Sequence, residues 1–182
     1  MRRTAGGDIG TAYEVAIKMT SIQYYDSPLG CMLMAADELG LSGLWFEGSK
    51  YYADRLPAGY LEQKTEILSA GKRWLDLYFG EQKPDFLPPL HPEGTAFQKS
   101  VWDILLEIPY GKTISYGEIA GHIALKQGIS RMSAQAVGGA VGRNPISIII
   151  PCHRVVGADG SLTGYAGGLD KKNKLLELEH SD

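Results

Sequence analysis

The chain has 182 residues, 44% of them hydrophobic and 21% charged, an ordinary globular composition. A net charge of −3 excludes nucleic-acid binding through a global positive field, so any such binding must come from local geometry. The sequence predicts neither a membrane span nor a secretion leader. Its two cysteines, Cys31 and Cys152, argue against a disulfide framework and for a reducing cytoplasm.

Residues 1–18 are Gly- and Thr-rich without a clear period and are expected to be a disordered extension, with Met19 a candidate start. Three strands are predicted next: Thr20–Asp26, then Cys31–Ala36 after the turn Ser27 to Gly30, then Leu41–Phe46 after Gly40. Residues 60–79 read as a helix, with Ile67, Trp74, Leu75 and Tyr78 near one face and Gly80 ending it. Residues 84–92 hold four prolines and read as a linker. The expected fold is therefore a small α/β domain over 19–83, a mainly antiparallel sheet with a helix. A linker over 84–93 leads to a mainly helical domain over 94–182.

In that second domain Thr95 to Gln98 forms a capping box, with Phe97, Val101, Leu105 and Ile108 following at helical spacing. Ser115 to Glu118 is a second capping box, opening a short helix that Gly128 breaks. Ser133 caps a third helix, Ala134–Gly142, which stops before Asn144 and Pro145. Two short helices with a Gly-containing link suggest a helix-turn-helix. The apolar run Ile146–Ile150 reads as a buried strand ending at Pro151, with Cys152, His153 and Arg154 at its tip. A Gly-rich loop, Gly157–Gly168, and a last helix, Lys171–Glu179, close the chain. Residues 1–93 carry 9 Lys/Arg against 13 Asp/Glu, and residues 94–182 carry 9 against 8, so the second half is the less acidic one.

Cys152 is the candidate nucleophile, because an adjacent base raises the thiolate fraction of a cysteine. Neighbouring side chains on a strand point apart, so Cys152 and His153 can meet only through a turn at Pro151 or a bridging water. The glycines of the third helix fit either tight helix packing or close approach to a nucleic-acid groove. In the second case the helix N-terminus would offer amides to a phosphate. Tyr116 at the start of the second helix and Tyr165 between glycines are aromatic candidates for the same site.

Taken together, Ile114 to Ala120, Ala136 to Ala140, Asn144-Pro145, Pro151 to Val155 and Gly164 to Gly168 resemble, in order and spacing, the O6-alkylguanine-DNA alkyltransferase family. The resemblance is close over 94–180 and holds only in outline over 20–83. It implies irreversible transfer of an alkyl group from O6-alkylguanine in duplex DNA to Cys152, after rotation of the base out of the stack. O4-alkylthymine is a second lesion that the sequence leaves open. The resemblance implies His153 as base through water, Glu179 as its orienter, and Asn144 in the same network. It places Tyr116 near the base's ring nitrogen and Val141, Val155 and Tyr165 around the alkyl group. Backbone groups of Cys152, Val155 and Ala166 would read the guanine edge. DNA contacts would come from Ser133, Ala134, Gln135, Ala136, Gly138 and Arg143. Gln135 stands where the family commonly has arginine, and Ser147 where many members have proline. Cys31 and His91 alone cannot build a four-ligand zinc site, so neither metal nor cofactor is expected. A monomer is expected. The rival readings are a DNA-binding module without chemistry and a Cys-His hydrolase.

Overall fold

The computed structural model describes residues 19–180, and the extension expected over 1–18 lies outside them. Strands β1 (Thr20–Ser27), β2 (Gly30–Ala36), β3 (Leu41–Phe46) and β4 (Tyr60–Glu62) form one sheet in the order β3-β2-β1-β4. The β1–β2 and β2–β3 pairs are antiparallel, and the short β4 joins β1 in parallel. Helix α1 (Glu66–Phe79) lies on this sheet, burying Leu68, Trp74, Leu75 and Tyr78. The helix expected over 60–79 thus begins six residues later. Thr65 is extended and its hydroxyl accepts from the Leu68 N–H, so the helix can nucleate there, while residues 60–62 are drawn into the sheet.

The proline-rich linker is not free. Leu41 donates to the Pro89 carbonyl at 2.8 Å and His91 to the Leu41 carbonyl at 2.7 Å, which lays the segment along β3. The His91 Nδ1 also meets Asp37 at 2.6 Å.

Helices α2 (Ala96–Glu107) and α3 (Tyr116–Gln127) both open on complete capping boxes, and Ser133 caps α4 (Ala134–Gly142). Gly128 ends α3 in the left-handed conformation that a side chain resists. Between α2 and α3 runs β5 (Ile114–Ser115), which pairs in parallel with β6 (Val155–Val156). That pairing brings Tyr116, the first residue of α3, beside the segment that follows Cys152. Helix α5 (Leu169–Glu179) closes the domain.

The apolar run 146–150 is not a strand. Ile146 makes one bridge to Leu44 of β3, and residues 147–149 then turn, with Ile148 at a positive φ of 69°. The Asn144 side chain explains the difference. Its Nδ2 donates to the carbonyls of Ile146 (3.2 Å) and Ile150 (2.8 Å), and its Oδ1 accepts from the Ile146 N–H (2.9 Å). One buried amide therefore supplies partners a strand ladder would have given. Ile146, Ile148, Ile149 and Ile150 all stay buried, in a core shared with Leu44, Tyr78 and Trp102. The two halves of the chain are fused through this core.

Candidate active site

Cys152 therefore sits on a single 3-10 turn, Cys152–Arg154, and not at a strand tip. The turn steps successive side chains by about 120° around its axis, where a strand would send them to opposite faces. Cys152 forms part of a cleft of about 300 Å³, together with Asn144, Ser147, Val141, Tyr116 and Tyr165. Gly138, Gly139, Gly164 and Ala166 supply backbone to the same cleft, and Lys50 and Tyr51 enter it from the first domain.

Behind the thiol lies a buried charge network. Glu179 accepts from Arg154 Nε at 2.9 Å and Nη2 at 3.0 Å, from the Tyr78 hydroxyl at 2.8 Å and from the Gly111 N–H at 3.2 Å. Gly111 can present that amide because its φ is +74° and its Cα faces the Glu179 backbone; a Cβ there would stand 3.1 Å from the Glu179 carbonyl oxygen. Despite burial, which raises it, the Glu179 carboxyl is held at about 2 by its bonds to His153 and Arg154. It is ionised and can only accept.

His153, fully buried, lies with Nε2 2.6 Å from Glu179 Oε1. An ionised acceptor there requires the proton on Nε2, so Nδ1 carries the free lone pair. Burial, seconded by the charges of Arg154 and Lys172, pushes the His153 pKa down against the pull of Glu179. The ring is thus a neutral base at pH 7. Among the described residues, the buried side-chain polar atoms without a protein partner are His153 Nδ1 and the Tyr165 hydroxyl. Both belong to this site, where an unsatisfied group needs a functional reason.

Burial pushes the Cys152 thiol up, and Asn144 and Lys172 only partly offset it. An adjacent base alone would raise the thiolate fraction, but burial outweighs it here and the resting group is a thiol. Lys172, which sequence reasoning missed, is fully buried, and its ammonium donates to the carbonyls of Val155 (2.5 Å), Thr163 (3.2 Å) and Gly164 (3.2 Å). It ties the Gly-rich loop to β6. The loop is tied again at Lys50, whose N–H donates to the Ala166 carbonyl at 3.0 Å. Gly167 packs so closely that a Cβ would come within 2.9 Å of the Tyr165 ring.

The sequence-named residues divide clearly. Asn144, Cys152, Tyr116, Val141, Tyr165, Ala166 and Gly138 meet at the cleft, and His153 and Glu179 lie together behind it. The Tyr116 hydroxyl donates to the Thr163 carbonyl at 2.8 Å. Val155 is not brought to the cleft: its side chain is wholly in the core, though its carbonyl holds Lys172. Ser133, Ala134, Gln135, Ala136 and Gly139 form the exposed face of α4, while Val137, Ala140 and Val141 face inward. Nothing lies within 4 Å of a Cβ added at Gly139 or Gly142, so helix packing does not require those glycines. Arg143 is paired with Asp54 at 3.1 Å. Tyr78 and Arg154 also escaped sequence reasoning. Tyr78 read as one more apolar helix position, and Arg154 gave no sign of folding back on a residue 25 positions away. Among the described residues no cluster of three His, Cys, Asp or Glu is placed to hold a metal ion.

Comparison with known proteins agrees with this arrangement. Residues 22–92 match the 6-O-methylguanine DNA methyltransferase, ribonuclease-like domain, and residues 96–181 match the 6-O-methylguanine DNA methyltransferase, DNA binding domain. A methylated-DNA--protein-cysteine methyltransferase of Methanosarcina acetivorans is 48% identical over 157 residues, covering 86% of this chain and 96% of that one. The protein of that name from Haemophilus influenzae is 41% identical, covering 86% and 84%. Among solved structures, the Mycobacterium tuberculosis protein called OGT, in complex with DNA, superposes with a TM-score of 0.75 at 40% identity, covering 90% and 93%. An O6-methylguanine DNA methyltransferase from Methanococcus jannaschii gives 0.62 at 33%, covering 88% and 94%. With the mixed sheet, the helical second half and a cysteine backed by a His-Glu pair, these matches leave one assignment: the chain belongs to the 6-O-methylguanine DNA methyltransferase family.

Proposed function

We propose that this protein repairs duplex DNA directly, moving the alkyl group of O6-alkylguanine onto the sulfur of Cys152. The observation that carries the reading is the orphaned His153 Nδ1, a buried neutral base kept in one tautomer by Glu179, in the same site as a thiol that opens on a cleft. A cleft of about 300 Å³ suits a single base turned out of the stack better than a duplex.

The chemistry follows from the groups present. The thiol is the resting state, so its proton must leave as the reaction begins, and His153 Nδ1 receives it through a water. The sulfur then attacks the alkyl carbon in line. The S–C bond forms, the C–O6 bond breaks, and the electron pair goes to the guanine. Tyr116 turns from Thr163 toward the base and assists protonation of its ring nitrogen, so guanine leaves neutral. The proton that His153 took returns through water to Tyr116, so overall one proton has passed from sulfur to guanine and both residues end as they began. A thioether has no easy reverse reaction, so each molecule acts once. Asn144 fixes the turn that presents Cys152, and Val141 and Tyr165 bound the alkyl group. The small exposed face of α4, from Ser133 to Gly139, lies against the DNA. We infer that the protein works as a monomer in the cytoplasm, where Cys31 and Cys152 stay reduced.

Stoichiometry separates this reading from its rivals. Protein is titrated with duplex carrying O6-methylguanine labelled in the methyl group. Transfer predicts label in the protein rising to one equivalent and stopping there. Label released to solution beyond one equivalent would indicate a hydrolase, and duplex bound without any label transfer would indicate a recognition module.

A further inference from the structure

Helix α4 carries no Lys or Arg from Ala134 to Gly142. The surface proposed to face a polyanion is therefore short of positive charge. A cation reaches the cleft from the other domain instead. Lys50 is exposed and forms part of the cleft wall, on the segment that leaves β3.

That segment is built and not loose. Its backbone turns are closed by hydrogen bonds from Ser49 to the Phe46 carbonyl and from Tyr52 to the Ser49 carbonyl, both 3.1 Å, and from Lys50 to Ala166. Tyr51 and Ala53 adopt positive φ values of 64° and 51°. Neither is glycine, so each conformation costs about 1 kcal/mol or more and persists only where the surroundings enforce it. The Tyr51 ring is also held by cations, with the Lys50 ammonium 4.9 Å and the Arg143 guanidinium 4.0 Å from its centre. The ring thus meets a cation from each half of the chain, and Lys50 and Tyr51 themselves line the cleft. Asp54 offsets only one of the two charges.

We propose that Lys50 on the rim of the Cys152 cleft, with Arg143 beside it on the Tyr51 ring, forms a phosphodiester-binding site, so that both domains grip the strand whose nucleotide is turned out. The proposal rests on the DNA-repair reading and adds a partner surface to it. A phosphodiester is the matching ligand because two cations on a rim, beside a cleft sized for a base, meet the charged backbone that must pass there.

The test uses the full chain with Lys50→Gln and Lys50→Arg. Two substrates are compared, a duplex oligonucleotide carrying O6-methylguanine and the free base O6-benzylguanine, which has no phosphate; binding is measured on the same duplex without the lesion. For Lys50→Gln, binding to undamaged duplex is expected to weaken roughly threefold to tenfold, and the slope of log affinity against log salt to become shallower by ~0.9. Transfer from the free base falls by a smaller factor than binding to duplex does, since no phosphate contact is lost. Lys50→Arg keeps the parent slope. An unchanged salt slope in Lys50→Gln, or a free-base rate that falls with the DNA rate, overturns the phosphate site while leaving the repair reading intact. A parent protein that takes an alkyl group from neither substrate overturns the repair reading itself, and this proposal with it.

Discussion

At Cys152 the physical problem is one proton. Burial favours the thiol, and burial also keeps His153 neutral, so acid and base both rest uncharged until substrate arrives. The pH dependence follows. The cysteine pKa lies above the ordinary thiol value and the histidine pKa below the ordinary imidazole value. Between those values the thiol with a neutral imidazole is the resting pair, so the single-turnover rate should stay level from about pH 7 to 9 and fall only toward acid pH, as His153 protonates. A rate declining between neutrality and pH 9 would mean that a second group must stay protonated. Glu179 gives the companion prediction. With its folded pKa at about 2, below the ordinary 4.5, it adds stability that is present above pH 4.5 and lost as the pH falls toward 2, about 3 kcal/mol in size. His153, its pKa lowered, removes stability in the same direction once the pH drops below 6.5. Glu179→Gln leaves Arg154 buried without its counter-charge, and urea unfolding at pH 7 should show a loss of about 3–5 kcal/mol. A loss under about 1 kcal/mol would mean that the network is dispensable for the fold.

At the scale of elements, the second half was the more legible, because its helices begin with side chains that announce them. Thr95, Ser115 and Ser133 each accept from the backbone N–H that the pattern predicts. The strands β1 to β3 were legible from alternation and turn residues. Two elements were not. The Ile146–Ile150 run has the composition of a strand, yet the partner for its backbone is the Asn144 amide, and a side-chain substitute for a ladder leaves no trace in hydrophobic periodicity. Residues 60–62 have no period long enough to show that β1 would take them as a parallel edge. Helix α4 offers a direct test of what its glycines are for. A methyl group at Gly139 meets nothing within 4 Å, so Gly139→Ala should stabilise the fold by up to about 1 kcal/mol through helix propensity. The same methyl stands on the cleft wall and on the exposed face of the helix. Thermal unfolding should therefore improve while transfer from DNA slows. Faster or unchanged transfer would show that the smooth face is not used.

For the whole molecule, the division into two halves conceals a shared centre. The expectation of a small α/β unit, then a linker, then a helical unit describes the order of elements, but not that Tyr78 of α1 bonds to Glu179 of α5 across 101 positions. Sequence separation of that size hides which residues become neighbours, and so Tyr78, Arg154, Lys172 and the Lys50–Tyr51 pair were invisible beforehand. Charge is the other global property. With −3 overall and Gln135 at an exposed position of α4, DNA binding should be only mildly salt-sensitive. Gln135→Arg should tighten binding to undamaged duplex and steepen the salt slope by up to ~1. An unchanged slope would place residue 135 away from the phosphates. That the alkyl group ends on a single sulfur can be read by peptide mass mapping after incubation with O6-methylguanine duplex. The peptide containing Cys152 should gain the mass of one methylene, the Cys31 peptide should not, and Cys152→Ala protein should gain none while still binding DNA. A methyl group found on any other residue, or on none, would contradict it.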